Sequence, residues 1–358
     1  MFSSIDRIVD MRRSVLTRPP QSQPEPVNMA DRPPRPAGPL QPAVALAIDC
    51  AAAAKRIEVF LRETLRKLNR RGCVIGVSGG VDSAVCVHLA VRALGPNRVI
   101  ALLMPERESS GESAARARRL CESLGIRHFV EDICSSLEAI GCYRRRDEAI
   151  RTLFADYGSG WRQKIVIVAG NSWMPHFNLV VQSPSGQSFE RRIPADTYLQ
   201  IVAATNFKQR IRKALEYYHA ERLNYAVLGT PNRLEYELGF FVRGGDGLAD
   251  LKPIAHLYKT QVYALAEYLR VPEEIRCALP STDTYSLPQT QEEFYFALSY
   301  AETDLVLYGM SNGFEPDVIA RALGHEPAQI AHIVKDFERK RLVAARSLRD
   351  SFVIEEEP

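Results

Sequence analysis

The sequence contains no long apolar run, no CxxC pair and no large excess of charge of either sign. Without an apolar run of about 18 residues there is no candidate transmembrane helix, so no membrane association is expected. Seven scattered cysteines without metal-type spacing argue against a zinc site or a disulfide framework, and they predict reduced thiols in the cytoplasm. Because 46 Lys and Arg residues nearly balance 43 Asp and Glu residues, no nucleic-acid partner is indicated.

Two familiar glycine-rich phosphate motifs are also missing. No Gly-Lys pair occurs, which excludes GxxxxGK[ST], and GxGxxG is absent as well. What is present is a short polar turn, Ser78-Gly79-Gly80-Val81-Asp82-Ser83, after an apolar strand and before an amphipathic helix. The simpler explanation is a tight turn in which Ser78 or Asp82 caps the helix, but capping would need only one polar residue. This turn has more than a cap requires: two glycines that let N–H groups approach an oxyanion, two hydroxyls and a carboxylate. The combination predicts a phosphate site with a divalent cation.

Apolar runs alternate with helical patterns along most of the chain, which predicts an α/β fold with a doubly wound parallel sheet. The expected strands are 73–77, 98–104, 127–133 and 224–228. The expected helices are 43–68, 83–94, 111–124, 144–157, 196–222, 257–270, 290–309, 315–323 and 326–346. The alternating segment 164–194, with its Ser-Pro-Ser-Gly turn, is expected to be an inserted β-hairpin.

The two ends of the chain differ from the rest in composition. Residues 1–45 are rich in proline and aperiodic, which predicts a disordered tail. A transit peptide, or a true start nearer Met29, would also account for this segment. Residues 46–348 are expected to form one domain, and 349–358 an acidic tail.

The turn at 78–83 resembles the pyrophosphate loop of the N-type ATP pyrophosphatases, which cleave ATP to AMP and pyrophosphate. A second stretch, "LGTPNRLEYELGFFVRGGDGLADLKPIAHLYKTQVYALAEYLRVPEEI" at 228–275, resembles NAD synthetases within that superfamily. The chain is identified as a divergent member of the ammonia-dependent NAD synthetase family, with N-type ATP pyrophosphatase architecture, C-terminal helices and an inserted hairpin. The resemblance implies a cytoplasmic, homodimeric ligase that amidates nicotinic acid adenine dinucleotide, with ATP and Mg²⁺.

The resemblance also assigns site residues. Asp82, Glu235 and Lys259 are the expected catalytic residues, and the first two are the expected metal ligands. The ATP-contacting positions are Ser78, Gly79, Gly80, Asp82, Ser83, Met104, Thr230, Lys259 and Ser281. The dinucleotide-contacting positions are Arg210, Arg243, Asp250 and Lys340.

Simpler explanations exist for several of these residues. Asn232 and Glu235 have the spacing of a capping box, and Thr230 could be a loop hydroxyl that caps a helix. Lys259 could be a surface lysine, and Asp250 a solvated turn residue. Lys213 shares a polar helix face with Arg210, and we expect it to be solvated.

Several positions depart from the usual family pattern, mostly on the dinucleotide side. Arg243 replaces a lysine, Ser281 a threonine, and the Arg339-Lys340 pair a His-Lys pair, while the aromatic run 294–296 replaces acidic residues. Another carboxylic acid as substrate, or a non-catalytic nucleotide-binding homologue, therefore remains an alternative. Glutamine-dependent relatives carry an additional amidase domain, for which no nucleophile is recognisable here, so free ammonia or a separate amidase partner is the expected nitrogen source.

Overall fold

A computed structural model describes residues 38–168, 176–278, 285–287 and 298–348. Its central sheet has four parallel strands: β1 (Cys73–Gly76), β2 (Val99–Leu103), β3 (Arg127–Val130) and β7 (Ala226–Leu228), in the order β3-β2-β1-β7. Ile75 of β1 pairs with Ala101 of β2 on one side and with Leu228 of β7 on the other. The segments that follow β1, β2 and β7 therefore emerge side by side at one edge of the sheet.

The helices of the described residues are α1 (Pro42–Ala45), α2 (Cys50–Lys67), α3 (Val81–Leu94), α4 (Gly111–Ser123), α5 (Cys134–Ala139), α6 (Cys142–Arg151), α7 (Ala195–Thr205), α8 (Phe207–Leu223), α9 (Arg233–Leu238), α10 (Lys259–Tyr268), α11 (Glu273–Arg276), α12 (Tyr300–Ser311), α13 (Pro316–Leu323) and α14 (Pro327–Leu348). A second, antiparallel sheet contains β4 (Arg162–Val168), β5 (His176–Gln182) and β6 (Ser188–Arg192). None of these helices is long and apolar enough to cross a membrane.

Both faces of the parallel sheet are covered by helices. Alternation along β1 buries Cys73 and Ile75 against α2, α3 and α10, while Val74 packs on the opposite face with Val227 and Ala220 of α8. Such two-sided burial is what makes the strand sequences almost continuously apolar. The predicted doubly wound α/β fold is confirmed.

Two predicted helices are interrupted. The helix expected over 196–222 is two helices, α7 and α8, which meet at Asn206. Next to this junction the Thr205 hydroxyl donates to the Ile201 carbonyl at 2.7 Å, the back-bonding that often bends helices. The helix expected over 43–68 is also two, because Asp49 accepts from the Ala52 N–H at 3.0 Å and caps a new start.

The predicted inserted hairpin is a three-stranded meander rather than two strands. The expected turn at 183–186 is present and joins β5 to β6, with the Ser183 N–H donating to the Gln187 carbonyl at 2.8 Å. The missed strand, β4, begins at Arg162 and pairs with β5. Its alternating inner face packs into the cluster that includes Ile165, Leu179 and Ile201, so the meander covers α6 and α7.

The boundary of the proline-rich tail also differs from the expectation. Leu40 is buried in the C-terminal helical cluster, and α1 follows at 42–45. A methyl group of Leu40 approaches Gly309 of α12, where a Cβ would lie 3.7 Å from it. The packed part of the chain therefore includes residues that composition alone assigned to the tail.

Candidate active site

The turn at 78–83 is held by its own serines. The Ser83 hydroxyl donates to the Gly80 carbonyl at 2.9 Å, and it accepts from the Ser78 N–H at 3.3 Å. Helix α3 begins at Val81 with Gly80 as its N-cap, and no side chain of the described residues caps it. Capping by Ser78 or Asp82, the simpler explanation of this turn, is therefore wrong. The first N–H groups of α3 have no acceptor within the helix, so they can donate hydrogen bonds to an anion bound at the turn.

Gly79 is required by the geometry of the turn. Its φ is +83°, and a Cβ there would lie 2.3 Å from the carbonyl oxygen of Ser113 in α4. Gly80 has an ordinary φ of −94°, and a Cβ there would lie 3.4 Å from the Ser78 hydroxyl. The first glycine thus sets the backbone shape, whereas the second leaves the adjacent space unfilled.

Asp82 receives two donors from distant parts of the chain. Its Oδ2 accepts from Lys259 Nζ in a short ion pair, and its Oδ1 accepts from Asn232 Nδ2 at 3.1 Å. Lys259 is 1% exposed, so it is not the surface lysine of the simpler explanation. Burial alone would lower the pKa of Lys259, but the charges of Asp82 and Glu235 outweigh it and raise that pKa above its usual value. Lys259 is a fixed, buried cation.

Glu235 occupies the capping box that its spacing predicts. The Asn232 N–H donates to Glu235 Oε2 at 3.1 Å, and the Glu235 N–H donates to Asn232 Oδ1 at 3.2 Å. Capping does not remove it from the site, because it also lines the same cavity as Asp82 and Lys259. The fully buried Asn232 bonds to both carboxylate residues and holds the ends of α3 and α9 together.

Asp82, Glu235 and Lys259 line a cavity of about 470 Å³ at the carboxyl edge of the sheet. The predicted ATP-contacting residues among the described positions all lie on its wall: Ser78, Gly79, Gly80, Asp82, Ser83, Met104, Thr230 and Lys259. Ser281 and the aromatic run 294–296 lie outside the described residues. A cavity of this size, with donors, a buried cation and two carboxylates on one wall, suits a polyphosphate with a divalent cation.

Comparison with known proteins identifies the family to which the chain belongs. The NAD synthase family model matches residues 53–167 and 177–344. The chain belongs to the NAD synthase family. A relative from Rhizobium meliloti (strain 1021), called NH(3)-dependent NAD(+) synthetase, is 56% identical over 299 residues, which are 83% of this chain and 89% of the relative. One of the same name from Thermotoga neapolitana is 41% identical over 69% of this chain and 80% of that protein.

Two solved structures share the fold of this chain. An NMN synthetase from Francisella tularensis superposes with a TM-score of 0.59 at 22% identity, covering 87% of this chain and all of that one. An NH3-dependent NAD synthetase from Campylobacter jejuni gives 0.56 at 23% identity, covering 86% and 100%. The family and fold expected from the turn and from the stretch 228–275 are thus confirmed.

The predicted dinucleotide-contacting residues lie outside the cavity wall. Arg210 is exposed, and its Nε donates to the Arg243 carbonyl at 3.3 Å. Asp250 accepts from the Val227 N–H of β7 at 2.7 Å and from the Tyr217 hydroxyl at 3.4 Å. Lys340, on α14, pairs with Asp336 at 2.8 Å. Arg210 and Arg243 therefore lie together, but none of the four residues lies on the cavity wall beside the predicted ATP contacts. Their role in binding the dinucleotide stays a prediction.

Sequence reasoning missed several charged residues of the wall. Arg116, Arg212, Lys213 and Glu216 all line the cavity. The expectation that Lys213 is solvated is wrong, since it is 5% exposed and pairs with Glu216 at 2.5 Å. Burial raises the pKa of Glu216, and the nearby Lys213 opposes this. The polar face of the helix was visible in the sequence, but the burial of Lys213 against Glu216 was not.

The two carboxylates fit a magnesium ion of the kind the family implies. Among the described residues there is no cluster of three or more His, Cys, Asp or Glu side chains that could form a closed metal cage. Mg²⁺ usually takes one or two carboxylates and completes its octahedron with water and substrate phosphates. Asp82 and Glu235, on the wall of an open cavity, match this demand.

Proposed function

We propose that the chain is an ammonia-dependent NAD synthetase. Its substrates are nicotinic acid adenine dinucleotide, ATP and ammonia, and its products are NAD, AMP and pyrophosphate. The observation that supports this most directly is the assembly of the Ser78–Ser83 turn, Asp82, Lys259 and Glu235 on one cavity wall. Relatives more than half identical over most of both chains carry the same name.

The first step activates a carboxylate. A nicotinate carboxylate oxygen attacks the α-phosphorus of ATP, the bond to the bridging oxygen breaks, and pyrophosphate leaves with that electron pair. The N–H groups at the start of α3 and the serine hydroxyls hold the leaving pyrophosphate, while Lys259 adds a fixed positive charge. Mg²⁺ held by Asp82 and Glu235 would neutralise phosphate charge.

The second step forms the amide. Ammonia attacks the carbonyl carbon of the nicotinyl adenylate, the bond from that carbon to the phosphate oxygen breaks, AMP leaves with the electron pair, and the nitrogen releases one proton to solvent. An adenylate is a good acyl donor whereas a free carboxylate is a poor one, so little acid–base chemistry is required of the protein. Positioning of the reactants and charge stabilisation in the cavity supply most of the acceleration.

The nitrogen source is ammonia from solution or from a separate amidase. Burial raises the pKa of the Cys73 and Cys121 thiols to about 12, and burial likewise raises the pKa of Cys142 to about 11. Such thiols are poor nucleophiles, which fits the lack of a recognisable amidase nucleophile. All seven cysteines are unpaired, as expected of a protein that works in the reducing cytoplasm.

The active form is a homodimer. Helices α7, α8 and α10 expose large side chains: Leu199 is 62%, Tyr218 60% and Tyr268 43% exposed. Helices α7 and α8 adjoin each other, whereas α10 lies on the other face of the parallel sheet, so these side chains mark two separate surfaces, each a candidate for the subunit contact. Light scattering at micromolar concentration should give twice the chain mass, and a fully active monomer would contradict the proposal.

The reaction is tested by supplying ATP, Mg²⁺, ammonium and the deamidated dinucleotide, and following NAD and pyrophosphate together. Equal amounts of both products are expected. Pyrophosphate release with a different acid and no NAD would identify another carboxylate as the substrate. ATP binding without pyrophosphate release on any acid would favour a non-catalytic homologue.

A further inference from the structure

Helix α10 begins at Lys259, and a carboxylate from another helix holds this end. Asp304 of α12 is 0% exposed; its Oδ1 accepts from the Lys259 N–H at 3.1 Å and its Oδ2 from the Thr260 N–H at 2.7 Å. The first N–H groups of a helix have no partner within it, so each oxygen satisfies a donor that would otherwise be buried unpaired. This contact joins residues 45 positions apart in the sequence.

The same helix also contacts the lysine side chain. Tyr300 lies one turn before Asp304 on α12, and its ring centroid is 5.4 Å from Lys259 Nζ. Tyr263 of α10 approaches the same ammonium at 5.7 Å. Helix α12 therefore contacts Lys259 twice: Asp304 binds its backbone N–H, and the Tyr300 ring lies beside its ammonium group.

We infer that Asp304 is a positioning residue for Lys259, holding the start of α10 so that the ammonium meets Asp82 at the cavity wall. This rests on the proposed role of Lys259 at the ATP phosphates. Asp304 itself does not line the cavity, so it acts only through the lysine. Among the described residues, the C-terminal helices contribute none of the predicted ATP contacts. Through Asp304 they would nevertheless set the position of Lys259 on the cavity wall.

A carboxylate is well suited to this place. Asn and Ser offer a single acceptor oxygen, which would have to serve both N–H groups in place of the two separate oxygens that Asp304 presents to them. Burial raises the pKa of Asp304 to about 6, yet its two N–H donors and the charge of Lys259 oppose that shift. The positive end of α10 offsets the remaining charge at neutral pH.

The test compares Asp304→Asn with Glu302→Ala, a matched change on the same helix. Glu302 belongs to the capping box of α12 and bonds to His325 at 2.7 Å, so its loss weakens the helix without touching α10. Equilibrium binding of the non-hydrolysable probe α,β-methylene-ATP is measured by calorimetry, together with melting temperature. Turnover is then measured with ATP and dinucleotide varied separately.

Asp304→Asn is expected to weaken binding of the ATP analogue about tenfold and to raise the KM for ATP, with the KM for the dinucleotide unchanged. Glu302→Ala is expected to lower the melting temperature without changing analogue affinity. Equal analogue affinity in Asp304→Asn and wild type would overturn the inference. If Asp304→Asn fails to fold, Tyr300→Leu gives the second measurement: a threefold or larger loss of analogue affinity supports positioning by α12, and no loss contradicts it. Because analogue binding needs no turnover, failure of the proposed reaction would be seen separately, as wild-type protein that binds ATP but makes no NAD.

Discussion

The two most deeply buried lysines of the described residues have different roles. Lys259 is 1% exposed and pairs with Asp82 on the cavity wall; Lys208 is 2% exposed and pairs with Glu106 at 2.9 Å and Glu108 at 2.6 Å. Lys208 does not line the cavity. Burial and pairing are common to both, so they do not by themselves identify a functional residue; position relative to the carboxyl ends of the strands does.

The cluster around Lys208 has a structural explanation. Arg146 of α6 pairs with Glu108 at 2.5 Å, and the Tyr143 hydroxyl donates to Glu106 at 2.7 Å. The segment after β2 is thereby tied to α6 and α8, and this segment continues into Ser109 and Ser110 of the cavity wall. The cluster supports the cavity wall from outside, whereas the Asp82–Lys259 pair lines the cavity itself.

The largest expected effect concerns Asp82. Asp82→Asn keeps the side-chain volume and removes the charge that faces both Lys259 and the proposed magnesium ion. Pyrophosphate release should fall about a thousandfold or more, because several kcal/mol of transition-state stabilisation are lost. A melting temperature within a few degrees of wild type is the control, and turnover within tenfold of wild type would contradict the metal role.

Glu235 allows its two roles to be separated. Gln retains an acceptor for the Asn232 N–H, as capping boxes accept either residue, so Glu235→Gln should keep the cap while removing the charge. Turnover should drop about a hundredfold or more at almost unchanged stability. Glu235→Ala should lose turnover and, in addition, about 0.5–2 kcal/mol of unfolding free energy. Full activity in Glu235→Gln would leave Glu235 as a cap alone.

Lys208→Met is expected to show the opposite pattern from the site variants. It leaves Glu106 and Glu108 buried with one cation fewer, which should cost about 3–5 kcal/mol of unfolding free energy. Below the melting transition, the KM for ATP should stay within a few-fold of wild type. Denaturant unfolding and kinetics at low temperature measure the two quantities, and intact stability with lost ATP affinity would place Lys208 in the site.

The two glycines of the turn sharpen the comparison within one motif. Gly79→Ala introduces a Cβ 2.3 Å from the Ser113 carbonyl at a φ of +83°, so unfolding free energy should fall by about 1–3 kcal/mol. Gly80→Ala meets ordinary contacts and should leave stability almost unchanged. Equal losses in both variants, measured by denaturant unfolding, would show that the backbone strain is not decisive.

Much of the fold was predictable, and the exceptions share a cause. Continuous apolar runs defined β1, β2 and β7, because strands buried on both faces need apolar residues throughout. The division at Asn206, the strand β4 and the packing of Leu40 depend on specific contacts, from the local Thr205–Ile201 hydrogen bond to packing between separate elements, which hydrophobic periodicity does not contain. Propensity patterns describe one element at a time.

The grouping of the residues of the 78–83 turn on the cavity wall was predictable for a different reason. Ser78 to Ser83 form one local turn, so a short motif contains all its information. The assembly of Asn232, Lys259 and Asp304 around Asp82 joins four separate segments. Sequence reasoning named Lys259 only through family resemblance and gave no role to Asn232 beyond its cap or to Asp304.

At the N-terminal boundary two truncations distinguish tail from core, and the shorter of them is expected to have no appreciable effect. Removing residues 1–37 stops short of Leu40 and should change neither turnover nor melting temperature appreciably. Removing residues 1–41 also deletes Leu40, which is 6% exposed and packs with the cluster that includes Leu305 and Ile319. Loss of one buried leucine should cost about 2–3 kcal/mol of unfolding free energy, or a few degrees in melting temperature. The matched variant Leu40→Ala in the full chain should reproduce most of this loss. An unchanged melting temperature in both the 1–41 truncation and Leu40→Ala would show that Leu40 does not contribute to the packed core.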